Sequence, residues 1–313
     1  MTPPAETAEG DPGAVPRPPV RWRQRISGVW SALPRRAIKR VGTLTMATGT
    51  ARIGAVLAAV VVARFLGRAS LGRYAAAVAI GAVVVSAPGS GLPIMAIRDV
   101  AAGKRGRLFV LAAIRAELVV TTLATGFAVL VSALVIRPVS LAVGLGLLAG
   151  VGNISLTQLN LAQGLGLGLQ RHRPVVLSQM AVGILLPVFT GAAVLAGLGL
   201  PGAVAALAVS SLPCALWTYW ALWPKLSQTP DHLDTHHLVW RSRTFVGFTA
   251  VNGGYQRIDA VMLLAFSTAA VSGLYASAYR FLGPFDLLEA GFAQVFFPLL
   301  SSLSPASPRW QET

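Results

Sequence analysis

The chain has 313 residues, of which 54% are hydrophobic and only 12% charged, with a mean hydropathy of +0.65. A soluble domain carries about 25% charged residues, so both an ordinary soluble enzyme and a disordered chain are excluded. The net charge is nevertheless +15, from 26 Lys and Arg against 11 Asp and Glu, and where those cations sit decides what they mean.

Residues 1–40 form a basic tail rich in proline and arginine, with no apolar run long enough for a signal peptide. Within it Trp22, Ile26, Val29 and Leu33 recur at helical spacing among Arg21, Arg23 and Arg25. That pattern reads either as an amphipathic helix on an anionic membrane surface or as a polar tail with scattered aromatics. From Val41 the chain becomes apolar, in stretches over 41–66, 72–97, 108–136, 140–169, 175–199, 201–223, 245–266 and 271–303. At about 1.5 Å per residue each can cross a hydrocarbon layer about 30 Å thick. Short connectors such as Gly67-Arg68, Arg137-Pro138 and 199–202 carry turn chemistry. The expected architecture is all-α, a polytopic bundle with a six-helix lobe over 41–223 and a polar linker over 224–244. The first two helices of a second lobe follow over 245–303, then a tail over 304–313.

Alternate connectors divide the cations sharply. One side receives 18 Lys and Arg, among them Arg21, Arg35, Lys104, Arg107, Arg171, Lys225 and Arg243; the other receives only Arg64, Arg68, Arg73 and Arg137. Positively charged loops stay inside, so both termini are expected in the cytoplasm. Nucleic-acid binding is the weaker account of the basicity, because no soluble module gathers the charge.

The first two spans resemble the last two. Arg52-Ile53-Gly54-Ala55-Val56 stands beside Arg257-Ile258-Asp259-Ala260-Val261 at an offset of 205. Gly72-Arg73-Tyr74-Ala75-Ala76-Ala77 stands beside Gly273-Leu274-Tyr275-Ala276-Ser277-Ala278 at an offset of 201. Six spans separate the copies, so both cross in the same direction, as in a parallel repeat about an axis along the membrane normal. On this reading the chain stops about four helices short of a complete second lobe.

Arg52 and Arg257 fall near the centres of their spans. Each costs about 2.5–3.5 kcal/mol at mid-bilayer, which makes a polar cavity or an ion partner the expected surroundings. Thr45, Thr48 and Arg52 share one helical face, and Asn252, Tyr255 and Asp259 share another, with Arg257 pointing elsewhere. Tyr275, Tyr279, Asp286 and Glu289 form a stripe on the last span, and Asn153, Thr157 and Asn160 one on the fourth, the latter fitting helix packing as well as a cavity. Arg115 can snorkel to the interface, whereas Glu117, two residues on, lies on a different face and is a further candidate for lining a cavity. Gly164 and Gly168 make a GxxxG pattern that reads as close helix packing.

Enzyme chemistry has little to stand on. The lone Cys214 excludes a disulfide framework and any Cys-x-x-Cys motif. The run from Asp231 to His237 holds His232 and His236 four apart but lacks a recognised ligand pattern, so a solvated linker is preferred over a metal site. No P-loop or G-x-S-x-G motif is present. Neither a cofactor nor a metal is expected.

The stretches Ala63-Arg64-Phe65-Leu66-Gly67 and Leu71-Gly72-Arg73-Tyr74-Ala75 resemble the first external loop of bacterial polysaccharide flippases. These belong to the multidrug/oligosaccharidyl-lipid/polysaccharide exporter superfamily. The stretch from Gly91 to Arg98 resembles the end of that family's second helix, and Arg257-Ile258-Asp259 with Gly273 to Arg280 its seventh and eighth, with Phe297-Pro298 near the eighth's end. The resemblance implies two lobes around a central cationic cavity that carries a lipid-linked oligosaccharide outward by alternating access. Arg52 and Arg257 would hold the pyrophosphate of a polyprenyl carrier, with Asp259 as counter-charge or ion-coupling group. Asn252, Tyr255, Tyr275 and Tyr279 would complete the substrate site, and Thr48, Asn153, Thr157, Asn160, Glu117 and Asp286 could line the cavity. The expected partners are membrane lipids, the polyprenyl-pyrophosphate-linked saccharide and polysaccharide-synthesis enzymes, in a bacterial cell membrane. An exporter of organic cations and a truncated, non-transporting membrane protein are the competing readings.

Overall fold

Hydrocarbon offers a backbone N–H or C=O no water to bond, so an apolar run that enters it closes its own hydrogen bonds as a helix. The computed structural model describes residues 35–86, 91–101, 106–136, 138–227 and 261–279, with single positions between 240 and 259. It is helical almost throughout: α1 (Arg35–Gly81), a π-helical turn (Ala82–Ser86), α2 (Gly91–Ala101), α3 (Arg107–Val135), α4 (Val139–Gly168), α5 (His172–Leu195), α6 (Gly199–Leu222), a 3-10 turn (Trp223–Lys225) and α7 (Ala269–Tyr279). No strand occurs among the described residues. The basic tail before residue 35, the 231–237 run, Asn252, Arg257, Asp286 and the Phe297-Pro298 match lie outside them.

Five stretches among the described residues are long and apolar enough to cross a membrane. The first, Gly42–Val85, has 44 residues, far more than one crossing needs. Gly67 divides it: its backbone (φ 82, ψ 172) is non-helical and positive in φ, a conformation glycine adopts without a Cβ clash. The expected turn at Gly67-Arg68 thus stands, and α1 comprises two limbs. The second predicted span, 72–97, is not one α-helix. It leaves α geometry at the π-helical turn and resumes at Gly91.

Two buried cores mark the two ends of the bundle. Val62, Leu71, Ile136, Ala142, Leu145, Leu200 and Leu264 belong to one. Leu92, Val100, Phe109, Leu165, Leu222 and Leu226 belong to the other. Gly67, Ile136 and Gly197 therefore lie toward the first end, and Gly106, Gln170 and Lys225 toward the second, as an up-and-down bundle requires. At the second end the Arg107 amide donates to the Ser227 carbonyl oxygen (3.0 Å), and the Arg107 guanidinium lies over the Trp223 ring, 5.3 Å from its centroid.

The interior is built from small and polar residues and the exterior from large apolar ones. On α3 the buried side includes Ala113, Ala116, Glu117, Thr121, Thr125, Ala128 and Ser132, while Leu118, Val119, Leu123, Phe127, Leu130 and Leu134 are exposed. In lipid there is no hydrophobic drive between helices, and small residues give the close approach that holds them together. The predicted GxxxG packing is one case. A β-carbon on Gly164 or Gly168 of α4 would stand 3.0 Å from the carbonyl oxygens of Pro93 and Ile97 respectively, so α2 and α4 run side by side in the same direction.

Candidate functional site

Arg52 lies in the first limb of α1 and is half-buried. One turn earlier Thr48 donates its hydroxyl to the Leu44 carbonyl oxygen (3.0 Å). Two residues later Gly54 meets Gly183 of α5 backbone to backbone, and a β-carbon on Gly183 would stand 2.6 Å from the Thr50 carbonyl oxygen. Residues two apart on a helix point about 200° apart, so with Gly54 against α5 the Arg52 side chain leaves on the opposite side. A rigid contact thus fixes the backbone that carries the arginine.

Asp259 and Tyr275, both predicted at the substrate site, are brought together: the Tyr275 phenol donates to Asp259 Oδ2 at 2.5 Å, and both residues are half-buried. Tyr255, one turn before Asp259, is 85% exposed. Tyr279 is the last residue of α7, one turn beyond Tyr275. Asn252, Arg257 and Asp286 lie outside the described residues, so the expected opposition of Arg52 and Arg257 is carried by the repeat alone.

The residues of the polar stripe on α4 differ in burial. Asn153 is buried against Gly81 of α1 and donates Nδ2 to the Ala149 carbonyl oxygen (2.8 Å). Thr157 is buried, and Asn160 is exposed. Glu117 of α3 is fully buried, at 0% exposure. Sequence reasoning missed its neighbours Gln158 and Tyr219, whose phenol donates toward the Gln158 carbonyl oxygen and Oε1 (3.1 Å each). Two polar residues inside otherwise apolar spans were the signal available for them.

The repeat has a structural counterpart. A β-carbon built on Gly72 would overlap the carbonyl oxygen of Ala269 and approach the Gly273 nitrogen (3.0 Å). One built on Gly273 would overlap the carbonyl oxygen of Arg68 and approach the Gly72 nitrogen (3.3 Å). Arg68 pairs with Ala269, and Gly72 with Gly273, at the offset of 201 that the sequence repeat requires. The contact is reciprocal, as a two-fold relation demands. The second limb of α1 and α7 thus meet at the Gly67 end of the bundle through a reciprocal contact.

Long apolar helices, a small-residue interior and this repeat define a multi-pass helical membrane protein. The chain belongs to the polysaccharide biosynthesis protein family, whose sequence profile matches residues 37–304. Members of that family are generally flippase-type transporters. Comparison with curated proteins and with solved structures gives no match.

Proposed function

We propose that this protein flips a lipid-linked oligosaccharide across a bacterial cell membrane by alternating access. The observation that carries the reading is the reciprocal contact of Gly72 with Gly273, because it sets two repeat-related helices against each other on a common axis. Two lobes in contact at one end can enclose a cavity that opens at the other. Separating that contact while closing the opposite end exchanges the side of access. By the distribution of Lys and Arg, the Gly67 end faces outward and both termini are cytoplasmic.

In this reading Arg52 and Arg257 bind the carrier's pyrophosphate, since a guanidinium makes two parallel hydrogen bonds to phosphate oxygens. Asp259 is the counter-charge, oriented by the Tyr275 phenol, and Asn252, Tyr255 and Tyr279 contact the saccharide. Its neighbours in the cell are the synthesis enzymes that load the carrier lipid. The acidic and aromatic group of Asp259 with Tyr255 and Tyr275 suits an organic cation better and supports cation export as the second reading.

The test is a double substitution, Arg52→Ala with Arg257→Ala, in cells that depend on this protein. Surface polysaccharide is lost while membrane insertion and amount of protein stay normal. Normal polysaccharide from a stably inserted variant overturns the arginine role. Binding of lipid pyrophosphate against binding of a cationic dye to the purified protein separates the two cargoes.

A further inference from the structure

Glu117 sits ten residues into α3, about 15 Å from its first residue, midway through a hydrocarbon layer about 30 Å thick. It is fully buried, and neither carboxylate oxygen has a hydrogen-bond partner. Its surroundings explain why. The Thr157 hydroxyl of α4 stands beside the carboxyl, but gives its hydrogen to the Ile154 carbonyl oxygen (2.9 Å). The Thr121 hydroxyl, one turn along α3, gives its hydrogen to the Glu117 carbonyl oxygen (2.6 Å), and Thr125 gives its own to the Thr121 carbonyl oxygen (2.8 Å). Tyr219 of α6 lies within electrostatic reach, yet its phenol hydrogen is directed at Gln158.

These hydroxyls have committed their hydrogens to backbone carbonyls and present lone pairs to the interior. The Gln158 amide, which takes the Tyr219 phenol hydrogen, has its own Nε2 buried without a partner, and the remaining groups present oxygen. A carboxylate without a donor or a counter-charge costs several kcal/mol in such a medium, and what compensates it is a cation. Among the described residues no three His, Cys, Asp or Glu side chains gather as a metal site. A single negative charge therefore matches a single positive one.

We propose that Glu117, with Thr157 and Tyr219, forms a buried site for a monovalent cation, H+ or Na+, inside the first lobe. Its titratable surroundings are sparse. On α3 itself Arg115 is exposed, and α4 contributes Thr157 and Gln158, neither ionisable. From α6 comes Tyr219, with Cys214 buried further along; the π-helical turn carries no titratable residue, and α2 carries Arg98 and the buried Asp99. The site belongs to α3, α4 and α6 and stands whatever the cargo is. Only its use as the coupling ion of transport rests on the flippase reading.

The test reads cation binding without transport, by thermal unfolding of the full chain in detergent. One arm varies pH at fixed salt, and the other exchanges choline chloride for NaCl at fixed pH and ionic strength. A bound cation stabilises the folded state by mass action, so the wild type gains stability as pH falls in a proton site, or with NaCl over choline in a sodium site. Glu117→Gln, a neutral isostere, loses that gain and Glu117→Asp keeps it with a displaced midpoint. If Glu117→Gln does not fold, Thr157→Val serves, because it keeps the volume and removes the lone pairs; it shifts the midpoint of whichever arm responds. A wild type indifferent to both cations overturns the site. So does a Glu117→Gln protein with the full wild-type response, or a Thr157→Val protein with an unmoved midpoint.

Discussion

Gly72 and Gly273, 201 positions apart in the chain, occupy each other's missing side-chain space: each would drive a β-carbon into the backbone of the other's helix. Overpacking a well-fitted interior costs about 1–3 kcal/mol even where flexible side chains can move aside, and here the obstacle is backbone. Gly72→Leu and Gly273→Leu are each expected to prise these helices apart. The two changes break one contact, so the double variant adds little to either single one. A double-mutant cycle of unfolding temperatures checks this, and fully additive losses reject a shared contact.

The Tyr275–Asp259 hydrogen bond predicts a second result. A hydrogen bond to a charged group contributes about 1.5–3 kcal/mol, and here it orients a side chain rather than filling space. Tyr275→Phe keeps the ring and removes the donor. Surface polysaccharide is expected to fall severalfold at unchanged protein level, and Asp259→Asn to fall at least as far. Adding Tyr275→Phe to Asp259→Asn brings no further loss, because the phenol acts through the carboxylate. Quantified polysaccharide per unit of inserted protein decides it.

Much of this architecture was legible in the sequence, and the exceptions have identifiable causes. Apolar length and the Gly67 turn are local properties, so span positions and the first connector follow from counting. The π-helical turn at Ala82–Ser86 in the second span was not legible, because hydropathy averages over backbone geometry. The repeat was visible because its offset is nearly constant, and Gly72 with Gly273 shows the structural reason for one of its matches. Asn153 and Glu117 were harder. Periodicity places a polar residue on a face but does not say whether that face meets a cavity or another helix. Gly81 absorbs Asn153, and the acceptor-only hydroxyls around Glu117 depend on helix-internal bonds that no spacing reveals.

The contact between Gly54 and Gly183 predicts that the placement of Arg52 depends on α5. Gly54 aligns with Asp259 in the repeat, yet no side chain fits at 54 against the α5 backbone. The two copies have therefore diverged where one packs and the other carries charge. Gly54→Asp, which restores the symmetry of the sequence, is expected to lower the amount of inserted protein sharply. Immunoblots of membrane fractions measure it, and wild-type levels would mean that the first limb does not rely on α5.

Arg107 and Trp223 join the start of α3 to the end of α6 at the second end of the bundle, beside the Arg107–Ser227 backbone hydrogen bond. A cation–π contact contributes about 0.5–1 kcal/mol at an exposed site and about 2 when desolvated. Arg107 also belongs to the positive charge that would orient the chain in the proposed topology, so its removal alone confounds stability with topology. Arg107→Lys separates the two: it keeps the charge and gives up the planar stacking of guanidinium on indole. Trp223→Leu keeps an apolar side chain and removes the ring. Both are expected to lower the unfolding temperature by a similar few degrees, with the double variant close to either single one. Topology, read from the accessibility of single cysteines placed at positions 104 and 137, stays as in the wild type. Additive losses would show that the ring and the guanidinium contribute separately, and a changed cysteine pattern would place Arg107 among the residues that set orientation rather than those that clasp the bundle.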